Sequence, residues 1–303
     1  MIISKTVRRV SAAGFASAIA AGLMATSAAP AGAAQQPGDA EAMRIIQSVS
    51  GAQHAPERDS YIIGGTKTTI KNYPYMAQLF VEVSPGRGSF CGGAVINSRK
   101  ILTAAHCVSG RNFVTKGVVV TGATRLADGS SLYGGKAFRI KKQWQHPKYN
   151  SRTFDNDIAV LTLAAPTNAK TIKVTTSTDK ASYRPGTKAT AVGWGRTSST
   201  SQAISTYLRR ATLPIQADSK CTSPSVWGRS FIKGHMLCVG NKTTGSDRTT
   251  VAPCNGDSGG PLVVNGRVVG VTSWGVKNCV QKGLYPVYTK YSTYAKTVAA
   301  QLR

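Results

Sequence analysis

Asn255-Gly256-Asp257-Ser258-Gly259-Gly260-Pro261-Leu262-Val263-Val264 places a serine in a glycine-rich turn that runs directly into an apolar, β-branched segment. Glycines let backbone N–H groups converge on one point and let a ligand approach closely. A serine hydroxyl is a poor nucleophile until a base takes its proton, and that base needs a third group to orient it. In isolation the run also reads as an ordinary turn, so the rest of the chain must supply a histidine and an acid.

Four histidines exist, His54, His106, His146 and His235. His106 stands in Thr103-Ala104-Ala105-His106-Cys107, between small residues and beside a cysteine, whereas the other three read as structural or solvated. Asp157 opens Asp157-Ile158-Ala159-Val160; Asp155 is its near competitor but is out of register with the apolar run. Short β-branched or alternating segments recur along the chain, among them Tyr75 to Val83, Val118 to Thr121, Ile158 to Leu163, Lys188 to Trp194 and Arg267 to Ser273. Gly, Pro, Asn and Asp punctuate them at intervals near ten residues, a pattern of an all-β sandwich or barrel. Tyr291, Tyr294, Val298 and Leu302 recur near helical spacing and predict one C-terminal α-helix.

Thr103 to Cys107, Asp157 to Val160 and Gly256 to Pro261 resemble the three signature segments of the trypsin/chymotrypsin family of serine proteases. The order His, Asp, Ser matches, as do the intervals of 51 and 101 residues. Ile62-Ile63-Gly64-Gly65 resembles the start of that family's mature chain, and Ser273-Trp274-Gly275 its substrate-binding edge. The resemblance covers roughly 62–303. It implies two six-stranded antiparallel β-barrels, about 62–175 and 176–303, with the C-terminal helix, and a cleft between them. It further implies His106 as general base, Asp157 as the carboxylate that fixes its tautomer, Ser258 as nucleophile, and the Gly256 and Ser258 amides as oxyanion hole. Protein or peptide substrates, protein protease inhibitors as partners and a monomeric state are expected with it.

The same resemblance puts Ala252 at the floor of the primary specificity pocket, beside Pro253 and Asn255, with Ser273, Trp274, Gly275 and Pro286 as its walls. Trypsin has an aspartate at the floor; here no carboxylate remains to pair a substrate cation, and an apolar pocket is expected, with cleavage after Leu, Met, Tyr or Phe. Asp247, the nearest acid before the floor, is expected to face water. Ile62 as a new N-terminus is implied to pair through its α-amino group with Asp257, which makes the uncut chain a zymogen. Tyr61 precedes it, so trypsin is an unsuitable activator, while self-activation, or a cut at Arg58 with trimming, fits.

Residues 1–33 carry Lys5, Arg8 and Arg9 and then an uncharged stretch rich in Ala, Gly and Ser up to Ala31-Gly32-Ala33, the layout of a signal peptide. An uncleaved membrane anchor is the rival reading, disfavoured because Ala, Gly and Ser insert weakly. Residues 34–61 then form an activation propeptide, and the protein is expected outside the cell. Six cysteines in that compartment can pair fully; 15 connectivities exist and spacing alone fixes none. Three short-range bridges are expected, Cys91 with Cys107, Cys221 with Cys238 and Cys254 with Cys279. A metal site from Cys91, His106 and Cys107 lacks the usual paired short spacings. No cofactor or metal is expected, because nucleotide loops, acidic cages and calcium-loop patterns are missing from the sequence.

The chain's 303 residues, 41% apolar and 17% charged, exclude an intrinsically disordered chain and a disulfide mini-protein, and 31 unperiodic glycines exclude collagen. From Ile62 onward 33 basic residues face 8 acidic ones. That charge raises the local concentration of acidic partners such as surface polymers. The cations are scattered, Lys141-Lys142 and Arg209-Arg210 being the longest runs, and no nucleic-acid module stands out. A catalytically silent polyanion-binding protein on this fold is therefore the second function class. An esterase with the same triad would need a Gly-x-Ser-x-Gly elbow between strand and helix, and Gly256 to Gly260 instead leads into a strand-like run.

Overall fold

The computed structural model describes residues 37–50 and 62–303. The expected signal segment, Tyr61 and the propeptide residues 34–36 and 51–61 lie outside them. After a first helix, α1 (Pro37–Ser50), the chain forms β1 (Thr66–Lys67), β2 (Met76–Ser84), β3 (Arg87–Asn97), β4 (Lys100–Thr103), α2 (Ala105–Val108), α3 (Phe113–Lys116), β5 (Gly117–Thr121), β6 (Lys136–Phe138), β7 (Ile140–Gln145), β8 (Ala159–Leu163) and β9 (Lys173–Val174). The second half adds β10 (Lys188–Gly193), β11 (Arg209–Pro214), α4 (Asp218–Thr222), β12 (Met236–Cys238), β13 (Pro261–Val264), β14 (Arg267–Trp274), β15 (Val287–Lys290) and α5 (Tyr291–Ala299).

One antiparallel sheet runs β6-β5-β2-β3-β4-β8-β7. Only Arg139 separates β6 from β7, so the two are one bent strand whose first part pairs with β5, Val119 opposite Phe138, and whose second part pairs with β8, Trp144 opposite Val160. That bend closes the sheet into a six-stranded barrel and leaves no free edge to be capped. The other sheet runs β11-β10-β13-β14-β15-β12, and the bridge between Ile215 and Val239 joins its two ends into the second barrel. The expected all-β pair of barrels with a C-terminal helix is the observed fold.

The alternation of these strands gives each barrel a filled interior. Leu79, Val95, Ile101 and Leu161, which share one face by register, fill the first, and Ala189, Leu213, Leu237, Leu262 and Val269 the second. The barrels also exchange chain ends. β1, within the stretch assigned to the first barrel, pairs with β11 of the second, and Tyr291, Tyr294 and Val298 of α5 pack into the first barrel's cluster. Leu302 falls beyond the helix it was expected to join. All three expected bridges are present, Cys91–Cys107, Cys221–Cys238 and Cys254–Cys279, so the metal alternative at Cys91 and Cys107 is ruled out by their pairing.

Helix α1, inside the stretch 34–61 expected to be a propeptide, has no counterpart among the elements expected from the sequence. Its Ala42, Ile45, Ile46 and Val49 follow i, i+3, i+4, i+7 spacing and are all buried. Leu161 at the centre of β8 has no exposed surface, so Leu161→Ala is expected to cost about 2–5 kcal/mol of stability in a denaturant titration. A cost below about 1 kcal/mol would place Leu161 outside the core.

Candidate active site

The first barrel delivers a histidine and an acid to the cleft. His106 sits on α2, a single helical turn directly after β4, held by the Cys91–Cys107 bridge and by Arg111, whose Nη1 donates to the carbonyls of His106 (2.7 Å) and Cys107 (2.8 Å). Asp157 lies two residues before β8 and is wholly buried. Its Oδ1 accepts the His106 backbone N–H at 2.7 Å, and its Oδ2 meets His106 Nδ1 at 2.8 Å and accepts the Ser273 hydroxyl at 2.6 Å. A carboxylate only accepts, so Nδ1 carries the hydrogen in this contact and the Nε2 lone pair is left for the cleft.

Ser258 comes from the second barrel, in the turn before β13. Its carbonyl accepts the Gly92 N–H of β3 at 2.8 Å, which fixes the turn against the first barrel. Gly259 makes this approach feasible: its φ is +79°, and a Cβ there would strike Thr103 and the Gly92 carbonyl. His106 and Ser258 line the same two adjoining cavities, about 520 Å³ and about 280 Å³. Among the described residues no hydrogen bond joins Ser258 to His106, and the backbone amides of Gly256 and Ser258 have no acceptor. A nucleophile–base contact commonly tightens only when substrate is bound.

The larger cavity is lined by every residue expected to shape the specificity pocket, Ala252, Pro253, Asn255, Ser273, Trp274, Gly275 and Pro286. Ala252 is buried and bridged to Ile63. Among the described residues no acidic side chain lines this cavity. Asp247 is not simply solvated as expected: it is half-buried, its carboxylate accepting from Ser198 Oγ (3.0 Å) and the Ser199 N–H. Asp155 pairs instead with His235 at 2.6 Å, and His146 packs edge-on to Tyr294, so neither of these histidines reaches the cleft.

Phe154 escaped sequence reasoning. It sits at φ +55°, meets the His106 ring edge-on at 5.7 Å and stacks on Trp274 at 6.5 Å between centroids. Nothing in the run Thr153-Phe154-Asp155 marks it, because its role comes from a left-handed backbone conformation rather than from a motif. Arg111 and Arg196, which line the smaller cavity with Phe90 and Ile204, were likewise hidden among many cations.

Trypsin, as a sequence family, matches residues 62–298. The chain belongs to the trypsin family. A trypsin from Saccharopolyspora erythraea is 34% identical over 241 residues, covering 80% of this chain and 98% of that protein. Trypsin from Sus scrofa is 36% identical over 250 residues, covering 80% and 97%. The solved structure of GrC is similar in fold, with a TM-score of 0.67 at 25% identity over 79% of this chain and 98% of GrC. This trypsin-family chain is a serine endopeptidase with a chymotrypsin-like fold, three disulfides and, among its described residues, no helix long and apolar enough to cross a membrane.

Asp257 is the site's second buried acid. It accepts the Gly195 N–H at 2.8 Å and the Cys254 N–H at 2.9 Å, and among the described residues no cation faces it. Burial pushes its carboxyl up to about 6, with the two amides partly opposing the rise. A raised acid holds its proton more tightly folded than unfolded, so Asp257 weakens the fold above about pH 6, and that penalty fades as pH falls toward 4. A carboxyl-carbon NMR titration of the uncut Ser258→Ala chain is expected to show a midpoint near pH 6 for Asp257; a midpoint below 4 would contradict this electrostatic picture.

Proposed function

We propose that the chain is a secreted endopeptidase, made as an inactive precursor, that cleaves after apolar or aromatic residues through Ser258, His106 and Asp157. The observation that carries the reading is the buried Asp157 carboxylate gripping His106 Nδ1 and Ser273 at the edge of a cavity that also holds Ser258. Ser258 Oγ attacks the substrate carbonyl carbon while His106 Nε2 takes its proton. The resulting oxyanion lies against the free amides of Gly256 and Ser258. His106 then gives the proton to the leaving amine as the C–N bond breaks, leaving an acyl group on Ser258. Water, deprotonated by the same nitrogen, attacks the ester and restores the serine.

Specificity follows from what the pocket floor lacks. A substrate Arg or Lys would bury its charge beside Ala252 with no carboxylate to meet it, at a desolvation cost of several kcal/mol. Leu, Met, Tyr or Phe meets no such cost, and Tyr61 before Ile62 suits the same pocket, so the enzyme can process itself.

Activation is read from Asp257. Its uncompensated burial is relieved when a cut before Ile62 creates an α-amine that pairs with it, and the turn carrying Gly256 and Ser258 is then locked. The amine's ordinary value is near 8. Pairing raises it in the folded enzyme, so the stabilisation is complete below about pH 8 and is lost as pH climbs through the raised value.

The presence of His106, Asp157 and Ser258 together disfavours the silent polyanion-binding alternative, since a protein that had lost catalysis could lack any one of them. The surplus of basic residues is read first as a solvated surface, one that would also raise the local concentration of acidic surface polymers.

A fluorophosphonate probe is expected to label Ser258 of the processed enzyme and to fail on His106→Ala; labelling that ignores the histidine would sink the mechanism. In a peptide-library digest, Leu, Met, Tyr and Phe are expected before the cut bond, and a preference for Arg would defeat the pocket assignment. Activity of the processed form is expected to fall reversibly at alkaline pH, whereas a profile flat through about pH 11 would remove the amine–Asp257 pair.

A further inference from the structure

Helix α1 precedes the region that matches trypsins, which starts at residue 62, yet it is built into the first barrel's wall. It packs on β2, β3, β5 and β6. Ala42, Ile45, Ile46 and Val49 share one buried cluster with Phe80, Phe90, Val118, Val120 and Leu126. Two ion pairs flank this stripe, Arg44 Nη1 to Glu82 Oε1 at 2.8 Å and Glu41 to Arg139 at 3.5 Å. The barrel is cut back where the helix presses on it: a Cβ at Gly88 would strike Val49, and one at Gly129 would strike Gln47. Apolar stripe, paired charges and two residues without side chains amount to a groove shaped for this amphipathic helix.

We infer that residues 37–50 are a retained part of the enzyme rather than a discarded leader: once the chain is cut before Ile62, the helix stays bound to the first barrel and the active molecule consists of two chains. Release would expose Phe80, Val118 and Val120, now without accessible surface, and would unpair Glu82, one of only 8 acids in residues 62–303. No disulfide can perform this retention, because all six cysteines are paired with one another within 62–303. The inference takes from the proposed function only that the chain is cut before Ile62.

The test supplies that cut from outside. In the full chain carrying Ser258→Ala, residues 56–61 are replaced by the recognition site of a protease that cuts after the last residue of its site, the chain is cut before Ile62, and the product is passed over a sizing column under native conditions. The peptide containing 37–50 is expected in the main peak at one copy per body, leaving only in denaturant. A body that elutes without the peptide, or that aggregates as the peptide leaves, overturns the inference. Ile46→Ala opens a cavity under the helix without adding charge and is expected to speed release more than tenfold. Release unchanged by Ile46→Ala would show that this stripe does not hold the helix. Because the cut is external and Ser258 is absent, failure of the catalytic or self-processing reading leaves this result intact.

Discussion

A carboxylate buried without an exposed atom is the constraint around which the molecule is arranged. Asp157 would be costly to hold in the interior unless donors surrounded it, and three do: the His106 amide, the His106 ring and the Ser273 hydroxyl. A fourth bond, from Thr289 Oγ1 to the Asp157 carbonyl at 2.7 Å, anchors the residue's own backbone. His106 and Asp157 belong to the first barrel, while Ser273 and Thr289 come from β14 and β15 of the second. The satisfied charge is therefore also a joint between the barrels. Any drift of one barrel against the other would strip a buried anion of a partner, so the polar network fixes the cleft as well as the histidine's tautomer.

The exchange of chain ends works toward the same result. β1 reaches back to β11 and α5 packs across onto the first barrel, so the two closed sheets are laced by backbone and by apolar contact. On the substrate side, Gly92 and Gly259 bring β3 and the serine turn within hydrogen-bond distance. A larger residue at 259 would have to displace backbone rather than a flexible side-chain tip.

Much of this was legible in the sequence because it is carried by local patterns. Ser258 in its glycine turn, His106 between small residues and Asp157 at the head of an apolar run each stand out in the sequence, and the seven residues expected from the family resemblance to shape a pocket do line one cavity. What could not be read depends on distance in space. Phe154 gains its place from its own left-handed backbone, Arg196 from lying beside a cavity whose other walls come from distant parts of the chain, and Asp247 from two serines 48 and 49 residues away. Helix α1 is a different case. Its apolar spacing was visible at Ala42, Ile45, Ile46 and Val49, but a segment read as a leader to be removed offered no reason to look for a partner surface.

The two buried acids differ in their surroundings: among the described residues Asp257 meets two backbone amides and no cation, whereas the Asp157 carboxylate meets an amide, an imidazole and a hydroxyl. The claim that all of this rests on is that Asp157 orients His106 to take the Ser258 proton, and the most direct measurement is the rate of Ser258 acylation by an activated ester in processed enzyme carrying Asp157→Asn. At neutral pH that rate is expected to fall by about ten-thousandfold, the size already known for this substitution in triads of the trypsin type. A rate within about tenfold of the unaltered enzyme would contradict the assignment of Asp157 as the group on which the catalytic base depends.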